Sequence, residues 1–230
     1  MNTESLAGLN WADIESELSR EGYALLPGLF EPSEVQKIAQ ALIRETETIA
    51  RQRDADAPDS QGSSTLLTSA LPETLNTLRE SCYQHLKSLA STWNELMGID
   101  AVAASTKQVD GKRVYGAVQT LGEHEYQVLT QNPNTQFPVQ LVMLLSDPGT
   151  DFTGGQFVMT EQRPRMQSRP MVLPLAVGDV ALIATAHRPF KGSKGYYRVN
   201  MKHAISRVRS GKRMGLELLL DHSPQVSTGE

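Results

Sequence analysis

From about residue 113 onward the apolar residues of this chain come in short runs: VYGAVQTL, FPVQLVMLLS, GGQFVMTE, MVLPL, DVALIAT, HAISRV and MGLELLL. These runs are β-branched or aromatic in character and are broken by Gly, Pro and Asp. Runs this short suit single strands, and many of them at this spacing build a sandwich or barrel. The N-terminal part has the other period. Asn10 can cap a helix in which Trp11, Ile14 and Leu18 share a face and which ends at Gly22. YALLPG (23–28) reads as a short buried strand. A second helix over 31–50 spaces Val35, Ile38, Ala39, Leu42 and Ile43 amphipathically, and a third over 72–97 repeats Leu75, Leu78, Cys82, Leu86, Leu89, Trp93 and Leu96 at steps of three and four. Between them RQRDADAPDSQGSS (51–64) is polar and aperiodic, and reads as a mobile loop. The expected class is α+β. A jelly-roll, or double-stranded β-helix, fills 105–230, and a helical support region over 1–104 packs on its outside, the two forming one structural unit.

Composition narrows the setting. Cys82 is the only cysteine among 230 residues, which excludes an intrachain disulfide and a cysteine-based zinc site. Its place on the apolar face of the third helix marks it as a small core residue. The N-terminal MNTESLAGLNWADIE is acidic without an apolar stretch, and no run approaches the roughly 20 residues that span a bilayer, so a cytoplasmic location without a membrane partner is expected. Charge is lopsided: residues 1–100 carry 7 Lys/Arg against 16 Asp/Glu, and 101–230 carry 15 against 10. Within 163–213 stand 12 basic residues and a single acid, Asp179. Such a block on a folded surface attracts a carboxylate, a phosphate or a nucleic-acid backbone, or is a solvated face balanced by the acidic N-terminal half.

Three blocks carry a family resemblance: FPVQLVMLLSDPGTDFTGGQFVMTEQRPRMQSRP (137–170), LAVGDVALIATAHRPFKGSKGYYRVNMKHAISRVRSGKR (175–213) and LLLDH (218–222). WADIESELSREGYALLPGLF and STWNELMG extend it into the N-terminal half. With these blocks the chain resembles a bacterial branch of the iron(II)/2-oxoglutarate oxygenases, the branch described as acting in oxidative repair of damaged DNA. The resemblance implies a jelly-roll in which two histidines and one carboxylate hold iron(II), with the remaining positions open to 2-oxoglutarate and dioxygen. The first histidine and the carboxylate come from a His-x-Asp motif, and the second histidine comes late in the domain.

Counted back from Phe137, and forward from Gly122-Glu123 without a gap, that motif falls on Val128-Leu129-Thr130. Val128 puts a hydrocarbon where an imidazole is expected, and Thr130 a neutral hydroxyl where a carboxylate is expected. Only His203, in HAISRVRSGKR, matches a ligand position. One imidazole without an anionic oxygen should not retain iron(II), so the expected metal is none, with His203 vestigial and Val128 and Thr130 the positions of lost ligands. His124 and Glu125 lie just upstream as candidate substitutes. Moving them into register displaces an extended chain by roughly 13–16 Å.

Other positions follow from the same resemblance. Arg213, ten residues after His203, has the offset of the arginine that grips the distal carboxylate of 2-oxoglutarate, a task that suits a guanidinium fork. The hydroxyl residue that shares this grip in relatives is Gly215 here. Arg163, Arg165 and Arg169 in TEQRPRMQSRP either line an anionic groove or brace the jelly-roll. His187, Arg198 and the loop KGSKGYYR with Tyr196 and Tyr197 are candidates for acid/base work and for stacking on a base or aromatic ligand. The candidate site therefore comprises His203, His187 and Arg198 as catalytic groups, Arg213 for a carboxylate, and Val128, Thr130, Arg163, Arg165 and Tyr197 as pocket.

The leading functional expectation is an oxygenase-fold protein without its His-x-Asp ligands and without a cofactor. It is an iron-independent enzyme or a binding protein for a small anionic or aromatic molecule. The alternatives are a genuine iron(II)/2-oxoglutarate dioxygenase with an unorthodox site, for which Fe(II) and 2-oxoglutarate are the cofactors, and a nucleic-acid-binding relative without catalysis. Nucleic acid is the less favoured partner, because the 51–64 region lacks the aromatic and basic residues that relatives carry there.

Overall fold

The computed structural model describes residue 6 and residues 8–46, 62–99, 108–133, 135 and 137–220. Its N-terminal elements are α1 (Trp11–Glu21), β1 (Tyr23–Leu26), α2 (Pro32–Thr46), β2 (Ser63–Leu67) and α3 (Glu73–Met97). The strands that follow are β3 (Gln108–Val109), β4 (Lys112–Arg113), β5 (Gly116–Leu121), β6 (Gln127–Thr130), β7 (Val139–Leu144), β8 (Phe152–Gly154), β9 (Phe157–Gln162) and β10 (Arg169–Leu173). The chain continues through β11 (Val180–Ala184), β12 (His187–Gly192), β13 (Gly195–Ile205), β14 (Val208–Gly211) and β15 (Arg213–Leu219).

Two antiparallel sheets enclose the core. One runs β1-β11-β7-β15-β5-β2; the other runs β10-β9-β13-β12, with β6 also paired to β13. β14 pairs with β8, and β3 with β4. Burial alternates along β13 from Arg198 to His203: Val199, Met201 and His203 are buried, while Arg198 and Asn200 are exposed and Lys202 is half-buried; Ala204 and Ile205 beyond them are both buried. Strand geometry sends successive side chains to opposite faces, so the first set points into the barrel. The expected α+β jelly-roll with helices beside it is what forms.

The helices form where their spacing demands. Asn10 caps α1 by accepting from the Asp13 amide at 3.4 Å, and Gly22 closes it in the left-handed conformation with its amide on the Leu18 carbonyl. α3 buries Leu75, Leu78, Cys82, Leu86 and Trp93 against the core and packs on β12 and β13. Burial pushes the Cys82 thiol up to about 12, which makes it an inert core group.

Two expectations are corrected. Ser63 and Ser64, read as part of a loop, belong to β2, which joins the edge of the larger sheet by pairing with β5; residues 51–61 of that loop lie outside the described residues. Likewise the 191–198 stretch is no loop but most of a hairpin, with Gly192 paired to Gly195 at its tip. Pro189 lies within β12, an edge strand bonded to β13 alone, which is where a sheet tolerates proline.

One end of the barrel is braced by charge. Glu161, fully buried, accepts from Arg188 and, at 2.6 Å, from Arg163. Arg188, equally buried, also donates to the Ser19 carbonyl at 2.9 Å and so ties the end of α1 to the barrel. Burial works to raise the Glu161 pKa, and its two arginines outweigh it, holding the group below the usual carboxylate range. Removing one partner of a buried pair strands the other's charge. Glu161→Gln should therefore cost about 3–5 kcal/mol of stability at neutral pH. The depressed folded pKa means the contribution is complete above the unfolded value and fades as pH falls through the folded one. Denaturant unfolding of both proteins across pH 3–7 should show the gap narrowing in acid.

Candidate functional site

Three strands turn polar side chains into the barrel at one level. On β15, alternation places Arg213, Gly215 and Glu217 at successive inward positions, with Gln119 of β5 directly opposite Gly215. Gln140 of β7 lies opposite Leu219 on the inward side. The second sheet contributes His203 from β13.

These groups meet at Glu217. Its Oε1 accepts from Gln119 Nε2 at 2.8 Å and lies 3.4 Å from His203 Nε2, while Oε2 accepts from Gln140 Nε2 at 3.3 Å. Gln140 is held in turn, its Oε1 accepting from Asn132 Nδ2 at 2.6 Å. Burial pushes the Glu217 pKa up, but His203, Gln119 and Arg213 together outweigh it and keep the group below the ordinary carboxylate value. His203 is buried with its ring stacked on Phe157, centroids 5.7 Å apart, and its Nδ1 has no partner.

Arg213 is 1% exposed. Its Nε donates to the Gly155 carbonyl at 2.9 Å, and its Nη1 has no partner. Burial lowers its pKa to about 10, with Glu217 pulling the other way, so it stays protonated at neutral pH. Two glycines make room for it. A Cβ at Gly155 would stand 2.9 Å from Arg213 Cδ, and one at Gly215 would stand 2.7 Å from Nη1. Gly215 thus opens the space over which the guanidinium leans toward Glu217. A cleft of about 450 Å³, lined by Leu144, Phe152, Phe157, Leu173 and Leu175, opens beside Arg213.

The structure brings together some of the expected residues and separates others. Thr130 is the cross-strand partner of His203. Val128 is half-buried, and Leu129 between them is 47% exposed. Thr130, His203 and Arg213 thus converge on the barrel interior. His187 and Arg198 do not: β13 alternation puts Arg198, and Asn200 opposite His187, on the face away from His203. Arg198 closes the C-terminus of α3, donating to the Met97 and Gly98 carbonyls at 2.7 and 3.2 Å. Burial lowers the His187 pKa, Arg198 lowers it further, and a bond with Asn200 opposes both.

Arg163 is committed to Glu161 and lies over the Phe190 ring, 3.8 Å from its centroid; Arg165 is exposed at a turn, and Arg169 is paired with Glu21. Tyr197 packs against Phe190, roughly 20 Å along β13 from His203. His124 is 74% exposed beside Glu123, and Glu125 Oε2 accepts from the Gly122 amide at 2.6 Å, so this turn does not reach His203.

Sequence reasoning missed Glu217, Gln119 and Gln140. The available signal was one amide or acid side chain inside each of three largely apolar strands, at the parity of Arg213 in the case of Glu217.

An iron(II) centre of the two-histidine, one-carboxylate kind needs three donors on one face. Around His203 stand one carboxylate already engaged by two amides, a hydrocarbon and a neutral hydroxyl. That set does not fit such a centre. Among the described residues no three His, Cys, Asp or Glu side chains group as a metal site, and no helix is long and apolar enough to cross a membrane.

Gly155 generates a direct test of the cradle. Its φ of 58° and the approach of Arg213 both oppose a side chain, so Gly155→Ala should destabilise the fold by about 1–3 kcal/mol. Denaturant unfolding measures it, and an unchanged midpoint would mean Arg213 is not held as described.

Comparison with known proteins gives consistent results. Residues 62–223 match a family described as an oxygenase catalysing oxidative methylation of damaged DNA. An uncharacterised protein of Mycobacterium tuberculosis, found in two strains, is 31% identical over 159 residues, spanning 65% of this chain and 68% of that protein. Among solved structures, a Pseudomonas putida prolyl-4-hydroxylase superposes with a TM-score of 0.56 at 10% identity, covering 93% of this chain and 100% of that one. A Phytophthora capsici prolyl 4-hydroxylase reaches 0.60 at 15% identity, covering 99% and 68%. The non-heme α-ketoglutarate-dependent carbocyclase SnoK reaches 0.58 at 13% identity, covering 97% and 90%. These structural likenesses concern the fold.

Proposed function

We infer the function from family and site chemistry together: the chain belongs to the oxygenase family described as catalysing oxidative methylation of damaged DNA. Within that family this barrel works without iron, as a binding site or iron-independent enzyme for a small carboxylate with an apolar body. The observation that carries this reading is the contact of His203 Nε2 with Glu217 Oε1 at 3.4 Å. The matching histidine is engaged by a carboxylate of the same protein, on a wall where Val128 and Thr130 replace the other two ligands. Arg213 supplies the anchor: a buried guanidinium with one free donor beside an apolar cleft suits one carboxylate oxygen.

His203 Nδ1, also without a partner, is a second polar point at which a ligand can be held or a proton passed. Nucleic acid is a weaker candidate ligand. Of the basic block, Arg163, Arg169 and Arg188 are spent on carboxylates, while Arg198 and Arg207 donate to backbone carbonyls.

One observation favours a second reading. Two ligands of a single ion stand about as far apart as His203 and Glu217 do, so the pair is the place where an unorthodox metal would sit. The two readings separate on turnover. Purified protein given iron(II), 2-oxoglutarate and oxygen is expected to release no succinate. Val128→His combined with Thr130→Asp is expected to raise metal affinity measurably in calorimetry, because it rebuilds the missing donors beside His203. Stoichiometric iron in the unmodified protein, with succinate formation that disappears in His203→Ala, would establish the second reading.

A further inference from the structure

We propose that the barrel takes a ligand bearing both a carboxylate and an ammonium group, an α-amino acid with an apolar side chain, and discriminates against dicarboxylates. This rests on the iron-free reading above and names the ligand class for the same site.

Buried charge is tolerated when it is paired within the same low-dielectric space and is costly when it is not. At the Glu161 end of the barrel the fully buried charges are Glu161 and Arg188, which pair with each other, and the half-buried Arg163 joins the same carboxylate. At the other end the buried fixed charges are Arg213 and Glu217, two inward steps apart on β15. A dicarboxylate such as 2-oxoglutarate would bring two negative charges into a space whose cation is already opposed by Glu217. A simple monocarboxylate would leave one negative charge unopposed. A zwitterion adds none.

The geometry suits the same ligand. Arg213 Nη1 is a buried donor without an acceptor, and so points to a carboxylate. Glu217 has the opposite surplus. An ionised carboxylate has about four acceptor sites, yet its Oε2 has a single bond from Gln140, at 3.3 Å, and 10% of the side chain remains accessible. That oxygen suits an ammonium. Between the two stands Gly215, whose missing side chain lets the guanidinium lie over the strand on the Glu217 side. The cleft that Arg213 lines is apolar, with Phe152, Phe157 and Leu173 among its walls, and suits the side chain of such a ligand.

The test uses the full-length protein in chelator-treated, metal-free buffer at pH 7. The twenty standard L-amino acids are first screened by thermal shift. The best binder is then compared by calorimetry with its deaminated counterpart, for example L-phenylalanine with 3-phenylpropanoate, and with 2-oxoglutarate. At least tenfold tighter binding of the amino acid than of either acid is expected. In Glu217→Gln, which keeps the side-chain shape and removes the charge, the preference should vanish or invert toward the deaminated acid. If that variant does not fold, the discrimination by the unmodified protein alone decides.

Equal affinity for the amino acid and its deaminated counterpart would overturn the proposal, as would binding none of the amino acids, or a preference for 2-oxoglutarate. So would discrimination that is unchanged in Glu217→Gln. Equal binding of the two acids leaves the iron-free reading standing. Iron-dependent succinate release would sink that reading instead.

Discussion

One carboxylate organises the interior of this barrel. Glu217 is buried on the last strand, where it gathers Gln119 from β5, Gln140 from β7 and His203 from the opposite sheet. A charge placed there without those partners would be prohibitive. With them it fixes the polar side chains at the centre of the barrel, because each of the groups holding Glu217 is itself held by it. Arg213, on the same face of the same strand, supplies the compensating positive charge and is kept in place by the carbonyl of Gly155. The apolar packing around this cluster is ordinary; the polar centre is what makes this barrel's chemistry its own.

On the function proposed above, the family fold persists around a different kind of centre. In the iron-dependent arrangement that the sequence resemblance implies, a dication balances the carboxylates of ligand and protein. Here the imidazole at the matching position meets a carboxylate of the chain, and the arginine that would grip a co-substrate opposes that carboxylate. On that reading the same positions are reused with the charges provided internally. Gly215 fits this rearrangement, since the hydroxyl residue expected from relatives would occupy the space into which the guanidinium leans.

Much of the architecture was legible in the sequence because it depends on local period. The caps at Asn10 and Gly22, the apolar stripe of α3 and the alternation along β13 are each set by a few neighbouring residues. Less legible were elements whose existence depends on a distant partner. Ser63 and Ser64 join β2 only because β5 offers an edge, and His187–Gly192, Pro189 included, becomes a strand because β13 pairs with it at the edge of the sheet. The site divided in the same way. His203 and Arg213 are found by position within the blocks that carry the resemblance and Thr130 by counting back from Phe137, whereas Glu217 is a single acid in an apolar run whose partners come together only when the two sheets close. His187 and Arg198 were grouped with His203 by residue type. Strand parity separates them, placing Arg198 at the end of a helix and His187 beside it on the outer face.

On the proposed function, Glu217 and not a metal ion is the partner of His203. Anomalous diffraction from crystals soaked in manganese(II) together with 2-oxoglutarate tests this directly. No anomalous peak is expected within bonding distance of His203 Nε2, with the imidazole and the Glu217 carboxylate still in contact. A well-occupied peak bridging His203 and Glu217, with 2-oxoglutarate bound beside it, would contradict it.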